Sequence, residues 1–211
     1  MMELLDAVEV RVLGALIEKE ATTPEYYPLS LNALVNACNQ KSNRDPVVSY
    51  DDDTVADALL SLREKKFAVT ITGGSRVNKY AQRISETLNL GRRELAVLCT
   101  LLLRGPQTLG EIKDRSERMY AFGDLGEAER VLEKMAEWPD GALAAKISRQ
   151  SGQKESRYAH LLAGEPKLDA APEETAPRQG KLAELESEVA SLRFELNDLK
   201  RRFEDLESQL R

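Results

Sequence analysis

Short stretches of this chain recur in the same order further along it, and an internal repeat constrains the fold before anything else does. Glu9-Val10-Arg11-Val12-Leu13 lines up with Glu94-Leu95-Ala96-Val97-Leu98 at an offset of 85 residues. Ser30-Leu31-Asn32-Ala33-Leu34 lines up with Thr108-Leu109-Gly110-Glu111-Ile112 at 78, and Tyr80-Ala81 with Tyr158-Ala159, again at 78. A loop shortened by seven residues after the first helix accounts for the change. One structural plan is therefore expected twice.

The first copy shows what that plan is. Asp6 is placed to cap a helix running to about Lys19, with Val8, Val12, Leu13, Leu16 and Ile17 as its apolar stripe. Gly14 inside it lowers helix propensity, which points to a neighbour packed close against it. After the proline-stiffened loop Thr22–Pro28, Ser30 caps a second helix carrying Leu31, Leu34, Val35 and Cys38. Asn39 to Pro46 then reads as a turn, and Asp51-Asp52-Asp53 opens a third helix, where carboxylates suit the positive end of the helix dipole. Phe67 to Thr72 and Val77 to Ala81, around Gly73-Gly74, read as a hairpin. Three helices and a hairpin make the winged helix-turn-helix plan, with the third helix in the recognition position and the hairpin as the wing. In the second copy, residues 124–136 supply the third helix, and Ala144–Arg149 with Ser156–Leu161 the wing.

Beyond the repeat the pattern changes. Residues 165–180 hold Pro166, Pro172 and Pro177 among Glu, Ala and Gly, the composition of a flexible linker. From 181 a heptad pattern begins, with Leu182, Val189, Leu196, Phe203 and Leu210 at one seam position and Leu185, Leu192, Leu199 and Leu206 at the other. In a parallel, in-register pair the flanking residues Lys181–Glu186, Glu188–Arg193, Glu195–Lys200 and Arg202–Glu207 all attract. A homodimer through a parallel coiled coil is expected; a helix docked on its own globular part is the alternative. The fold class is mainly α with small β-hairpins (α+β): two tandem winged helix-turn-helix domains at 1–84 and 85–164, a linker at 165–180 and a coiled-coil helix at 181–211.

Charge narrows the function. The chain carries a net charge of −6, most of it in the tail, where 8 Lys+Arg face 12 Asp+Glu over residues 165–211. Residues 84–164 balance at 12 of each, so a protein that coats DNA wholesale is excluded, while local basic patches are not. The longest apolar run, Leu95 to Leu103, is far shorter than the ~20 residues a membrane helix needs. Met1-Met2-Glu3 starts no export leader, and Cys38 and Cys99 read as buried thiols, one per domain, so a cytoplasmic protein is expected.

Lys41 and Arg44 flank the first turn, and Arg115 and Arg118 hold the corresponding place in the second copy. The wings add Arg76, Lys79, Arg149, Lys154 and Arg157. Cations bordering a recognition helix are placed to touch the phosphates of double-stranded DNA; the alternative is an ordinary solvated surface. The third helices argue against base reading, since Asp53, Asp57 and Glu64 on one and Glu127, Glu129 and Glu133 on the other would repel phosphates. Tyr26 and Tyr27 are expected to pack their loop, and His160, the single histidine, lacks metal-ligand neighbours in the sequence. No nucleophile set, phosphate-cradling loop or cofactor motif is present, so the expectation is a non-enzymatic protein with no cofactor, metal or small-molecule substrate. DNA binding in a regulatory or chromosome-associated assembly stands beside a protein-protein scaffold with no DNA contact.

Thr22-Thr23-Pro24-Glu25, Tyr27-Pro28-Leu29-Ser30 and Cys38 to Arg44 together resemble the YceH-like bacterial proteins. So do Leu101-Leu102-Leu103-Arg104-Gly105, Arg118-Met119-Tyr120 and Glu155-Ser156-Arg157-Tyr158. The resemblance spans residues 4–165, with the tail similar only in general pattern. It implies tandem winged-helix domains in a bacterial cytoplasmic protein and brings no activity or catalytic residue with it.

Overall fold

The opening helix is set by a reciprocal cap. The Asp6 carboxylate accepts from the N–H groups of Val8 and Glu9, and the Glu9 carboxylate accepts the N–H of Asp6. This starts α1 (Ala7–Thr22). A 3-10 turn at Pro24–Tyr26 leads into strand β1 (Leu29–Ser30) and helix α2 (Leu31–Cys38), whose first turn is held by Ser30 Oγ accepting from Ala33 N–H. Asp51 caps α3 (Asp52–Glu64). Strands β2 (Ala68–Ile71) and β3 (Lys79–Gln82) pair antiparallel with Val69 opposite Ala81, and β1 joins the other edge of β3.

A four-residue helix, α4 (Ile84–Thr87), connects to the second round. It consists of α5 (Arg92–Arg104), β4 (Gln107–Thr108), α6 (Leu109–Ser116), α7 (Leu125–Ala136), β5 (Ala144–Ile147) and β6 (Arg157–His160). The two sheets have strand orders β1-β3-β2 and β4-β6-β5, the same pattern twice. This is an α+β architecture, with seven α-helices and two three-stranded antiparallel sheets among the described residues. The coordinates are a computed structural model that describes residues 3–72, 77–147 and 155–166. The linker at 165–180, save its first two residues, and the heptads of 181–211, including every seam residue from Leu182 to Leu210, lie outside the described residues.

Each round ends its third helix on its first. Lys65, just past α3, donates to both carboxylate oxygens of Glu9 at 2.6 and 2.7 Å, and Lys134 of α7 donates to Glu94 at 2.7 Å. Glu9 and Glu94 are the residues the repeat aligns.

One apolar core runs through both rounds. Leu13, Leu16, Leu34, Leu59 and Leu62 belong to the same buried cluster as Leu98, Leu101, Ile112, Leu132 and Met135. Helix α1 meets α5 closely at Gly14. A Cβ there would lie 2.8 Å from Leu103 Cδ2 and 3.2 Å from Leu102 Cβ, so any larger residue at this point would have to displace the Leu103 side chain. Cys99, which the repeat aligns with Gly14, donates its thiol to Gly14 O at 3.4 Å. Cys38 and Cys99 are free and buried, and burial pushes the Cys38 thiol up to about 12. No described helix is long and apolar enough to cross a membrane.

Candidate nucleic-acid interface

The stretch from Asn39 to Pro46 is fastened inward rather than turned out. Helix α2 ends at Cys38, and the Asn39 side chain then bridges to Tyr50, donating to its carbonyl at 2.7 Å and accepting from its N–H at 2.8 Å. The loop between them doubles back over α1. The Arg44 side chain is fully buried. Its guanidinium reaches both carboxylate oxygens of Glu18, at 3.1 and 2.7 Å, and also donates to the carbonyls of Ala37 and Asn43. Burial by itself would raise the Glu18 carboxyl; hydrogen bonds and charge from Arg44 outweigh it and hold the group below its usual range. The expectation that Arg44 faces a phosphate is corrected here: a buried, bidentate arginine has no donor left for an outside ligand.

Arg11 lies beside it, 4% exposed, donating to Cys38 O and Pro46 O. It has no ion pair among the described residues, and burial, with Arg44 close by, lowers its pKa. The loop also crosses to the second round. Asp45 N–H donates to Leu103 O at 2.9 Å, and the Arg104 guanidinium donates to the side-chain oxygen of Asn43. Asn43 sits at φ 59°, a left-handed conformation that its short polar side chain tolerates.

The equivalent cations of the second round are placed differently. Glu111 closes the capping box of α6 with Thr108 and faces both Arg115 and Arg157, each at 3.2 Å. Arg157 also donates to Pro106 O at 2.9 Å. Both arginines remain about a third exposed, so these pairs are weak and exchangeable. Arg118 and Lys41 are exposed, Lys79 is half-buried on β3, and none of the three has an ion pair among the described residues. Arg76, Arg149 and Lys154 lie outside the described residues.

The seam between the rounds holds a cleft of about 310 Å³. Glu18 and Thr22 of α1, Asn43 of the loop, Arg104 of α5, and Asp114, Arg115 and Arg118 from α6 and the segment after it all border it. The two turn segments that the repeat aligned thus meet at one place. Arg104 escaped the reading of candidate sites, because the residue that fixes it, Asn43, lies 61 positions earlier. Its appearance in the run Leu101–Gly105 was the available signal.

Helix α3 shows Asp53, Asp57, Leu60 and Glu64 to solvent, and α7 shows Arg130 and Glu133. Tyr27 is half-buried with its hydroxyl accepting Gln82 N–H at 2.6 Å, so it packs as expected, whereas Tyr26 is 71% exposed. His160 on β6 is buried on its Nδ1 side with no partner for that atom, and burial lowers its pKa to about 4. No group of three or more His, Cys, Asp or Glu among the described residues is arranged to hold a metal.

A family model described as "Protein of unknown function, DUF480" matches residues 5–153. The chain belongs to the DUF480 family. It is 54% identical over 205 residues to the UPF0502 protein of Solibacter usitatus, covering 95% of this chain and 98% of that one. It is similarly 50% identical over 215 residues to the UPF0502 protein of Pelobacter propionicus, covering 98% of both. The UPF0502 protein of Geotalea uraniireducens is 52% identical over 215 residues, with 97% of both covered. The YceH-like resemblance is borne out as membership of this bacterial family. Similarity to these DUF480 relatives continues through most of the tail, further than the motifs alone reached.

Proposed function

We propose that this DUF480 protein is a non-enzymatic, tandem winged-helix protein. On this reading it holds duplex DNA by its backbone, within a transcription-regulatory or chromosome-associated assembly. One observation supports the reading above others: Lys41 and Arg118 occupy corresponding connections, each ahead of the third helix of its round, and both are exposed with no ion pair among the described residues. Lys79 stands on β3, half-buried. Free cations bordering a third helix suit phosphate contact. The third helices themselves suit base reading poorly, because Asp53, Asp57 and Glu64 would face the negative groove. Contact through the backbone, indifferent to sequence, follows. The heptads of 181–211 would join two such chains in parallel.

Fluorescence anisotropy with a mixed-sequence duplex of roughly 30 base pairs tests this across a series of salt concentrations. Binding should weaken as salt rises, and each of Lys41→Ala and Arg118→Ala should lower the log–log slope by about 0.9. Arg44→Ala is unsuitable, since it attacks the fold. Absence of binding at low salt sinks the duplex reading. Sedimentation should give a dimer, and a strict monomer at micromolar concentration would end the coiled-coil part.

A second reading has its own observation. Leu60, 53% exposed among the carboxylates of α3, suits a protein partner better than a nucleic acid. Under that reading the protein is a scaffold, and duplex affinity is absent while pull-downs depend on Leu60.

A further inference from the structure

We infer that the cleft at the seam is an oxyanion site, in which Arg104, Arg118 and the side-chain amide of Asn43 hold a phosphate group. This goes beyond duplex binding and does not depend on it. The cleft, at about 310 Å³, lies at the lower end of the roughly 300–1,000 Å³ typical of small-ligand pockets, enough for a phosphate and part of what carries it.

The donors come from separate elements that border the cleft. Arg104 comes from the last turn of α5, Arg118 from the segment after α6, and Asn43 from the loop of the first round. Asn43 already accepts from Arg104 through its side-chain oxygen, which leaves its NH2 group to donate. Neither Arg104 nor Arg118 has a carboxylate within ion-pair distance among the described residues. Guanidinium forks donate in pairs to phosphate oxygens, and here two of them and an amide border one cleft.

The acids of the cleft do not cancel this. Glu18 is held by Arg44 at 2.7 Å and Lys19 at 3.3 Å. Asp114 and Glu117, like Arg118, are exposed, where water screens them, while Arg104 is half-buried and feels its neighbours more strongly. Burial, then Arg115, with a further contribution from Arg44, lowers the Arg104 pKa against the opposing pull of Glu18 and Glu111. The surroundings therefore disfavour an uncompensated charge at Arg104, and a bound anion relieves that.

The test is titration of the full-length protein with inorganic phosphate against sodium chloride at matched ionic strength, followed by thermal unfolding and calorimetry. Phosphate should raise the unfolding temperature saturably. Arg104→Gln and Arg118→Gln should each weaken binding about tenfold or more, as loss of a charge-assisted hydrogen bond does. Arg63→Gln, on α3 and outside the cleft, should not. Arg118 is exposed, so its variant keeps the test valid should Arg104→Gln fold poorly. No effect of phosphate beyond chloride, or an effect the two arginine variants leave intact, overturns the inference.

Competition then identifies the source. Displacement of phosphate by a duplex of about 12 base pairs supports a single backbone phosphate as the occupant. Displacement by adenosine monophosphate but not by duplex supports a free phosphate monoester. Displacement by neither supports inorganic phosphate itself as the occupant. Phosphate binding in a protein without duplex affinity supports this site while ending the duplex reading.

Discussion

The two rounds of the repeat fasten the same connection by different chemistry. In the first, the segment between the second and third helices is held by charge: Arg11 and Arg44 reach under it to backbone carbonyls, and Glu18 anchors Arg44. In the second, the shorter segment after α6 is held by rings. Tyr120 and Phe122 meet edge to face at 4.8 Å, and Phe122 is 5% exposed. Tyr120 OH adds polar contacts at the surface, accepting from Arg93 at 2.8 Å and donating to Glu127 at 3.0 Å. A shared backbone plan therefore does not require shared fasteners. The charged solution also does more, because its loop continues onto α5 through Asp45 and Asn43.

The largest test of this contrast is Arg44→Ala. It leaves Glu18 buried with only Lys19 beside it, and a broken buried pair costs about 3–5 kcal/mol. Urea denaturation measures it, and a loss below about 1 kcal/mol would erase the contrast.

A titration separates the rounds next. His160 stands where the first round has Gln82, whose amide is bonded to Glu20 and Ser85. Burial holds the folded-state His160 pKa at about 4, below the ordinary 6.5. As pH falls from 6.5 towards 4, the unfolded chain takes up a proton that the folded one refuses. Stability should therefore fall through that window, by at most about 1.4 kcal/mol per pH unit, and His160→Gln should flatten the decline. Glu9, Glu18 and Glu94, all held below the carboxyl value of 4.5, add losses only as pH drops further, so the interval above 4.5 is the diagnostic one. An unchanged slope in the variant would remove His160 as its source.

Gly14→Ala probes the contact between rounds. Overpacking against Leu103 costs about 1–3 kcal/mol, while the gain in helix propensity returns up to about 1 kcal/mol. A net loss of about 1 kcal/mol in thermal unfolding is expected, and a stabilised variant would show that α1 and α5 can part without penalty.

The smallest expected difference, about 1 kcal/mol, lies between the two helix-end pairs. Lys65 is 14% exposed over a nearly buried Glu9, whereas Lys134 is 62% exposed over Glu94. Glu9→Gln should cost about 2 kcal/mol and Glu94→Gln below about 1 kcal/mol. Equal losses would mean that exposure does not separate them.

Local signals in the chain were read correctly where the structure depends on local residues. The caps at Asp6 and Ser30 each act on an N–H two or three positions away, so spacing reveals them; Asp51, Thr108 and Asp124 cap in the same way, though none was singled out as a cap. Gly14 was legible as a close approach, though not the identity of the neighbour. Arg44 was misread because its partner Glu18 lies 26 positions earlier, and nothing in a turn's composition says which side faces inward. Strands β1 and β4 have two residues each and exist only because β3 and β6 lie beside them, so no alternation announces them. The cleft was hidden for the same reason: Asn43 and Arg118 become neighbours only when the rounds are assembled.

That assembly has a consequence for how such a chain can be inherited. A duplicated unit ordinarily remains a module, able to be copied, exchanged or deleted whole. Here Gly14 fits against Leu103, Asn43 receives Arg104, and Asp45 donates to Leu103, so each round carries part of the other's surface. Exchanging one round for a foreign copy would leave Leu103 without its glycine and Arg104 without its amide. A working exchange of one round would therefore have to bring matching residues at these contacts.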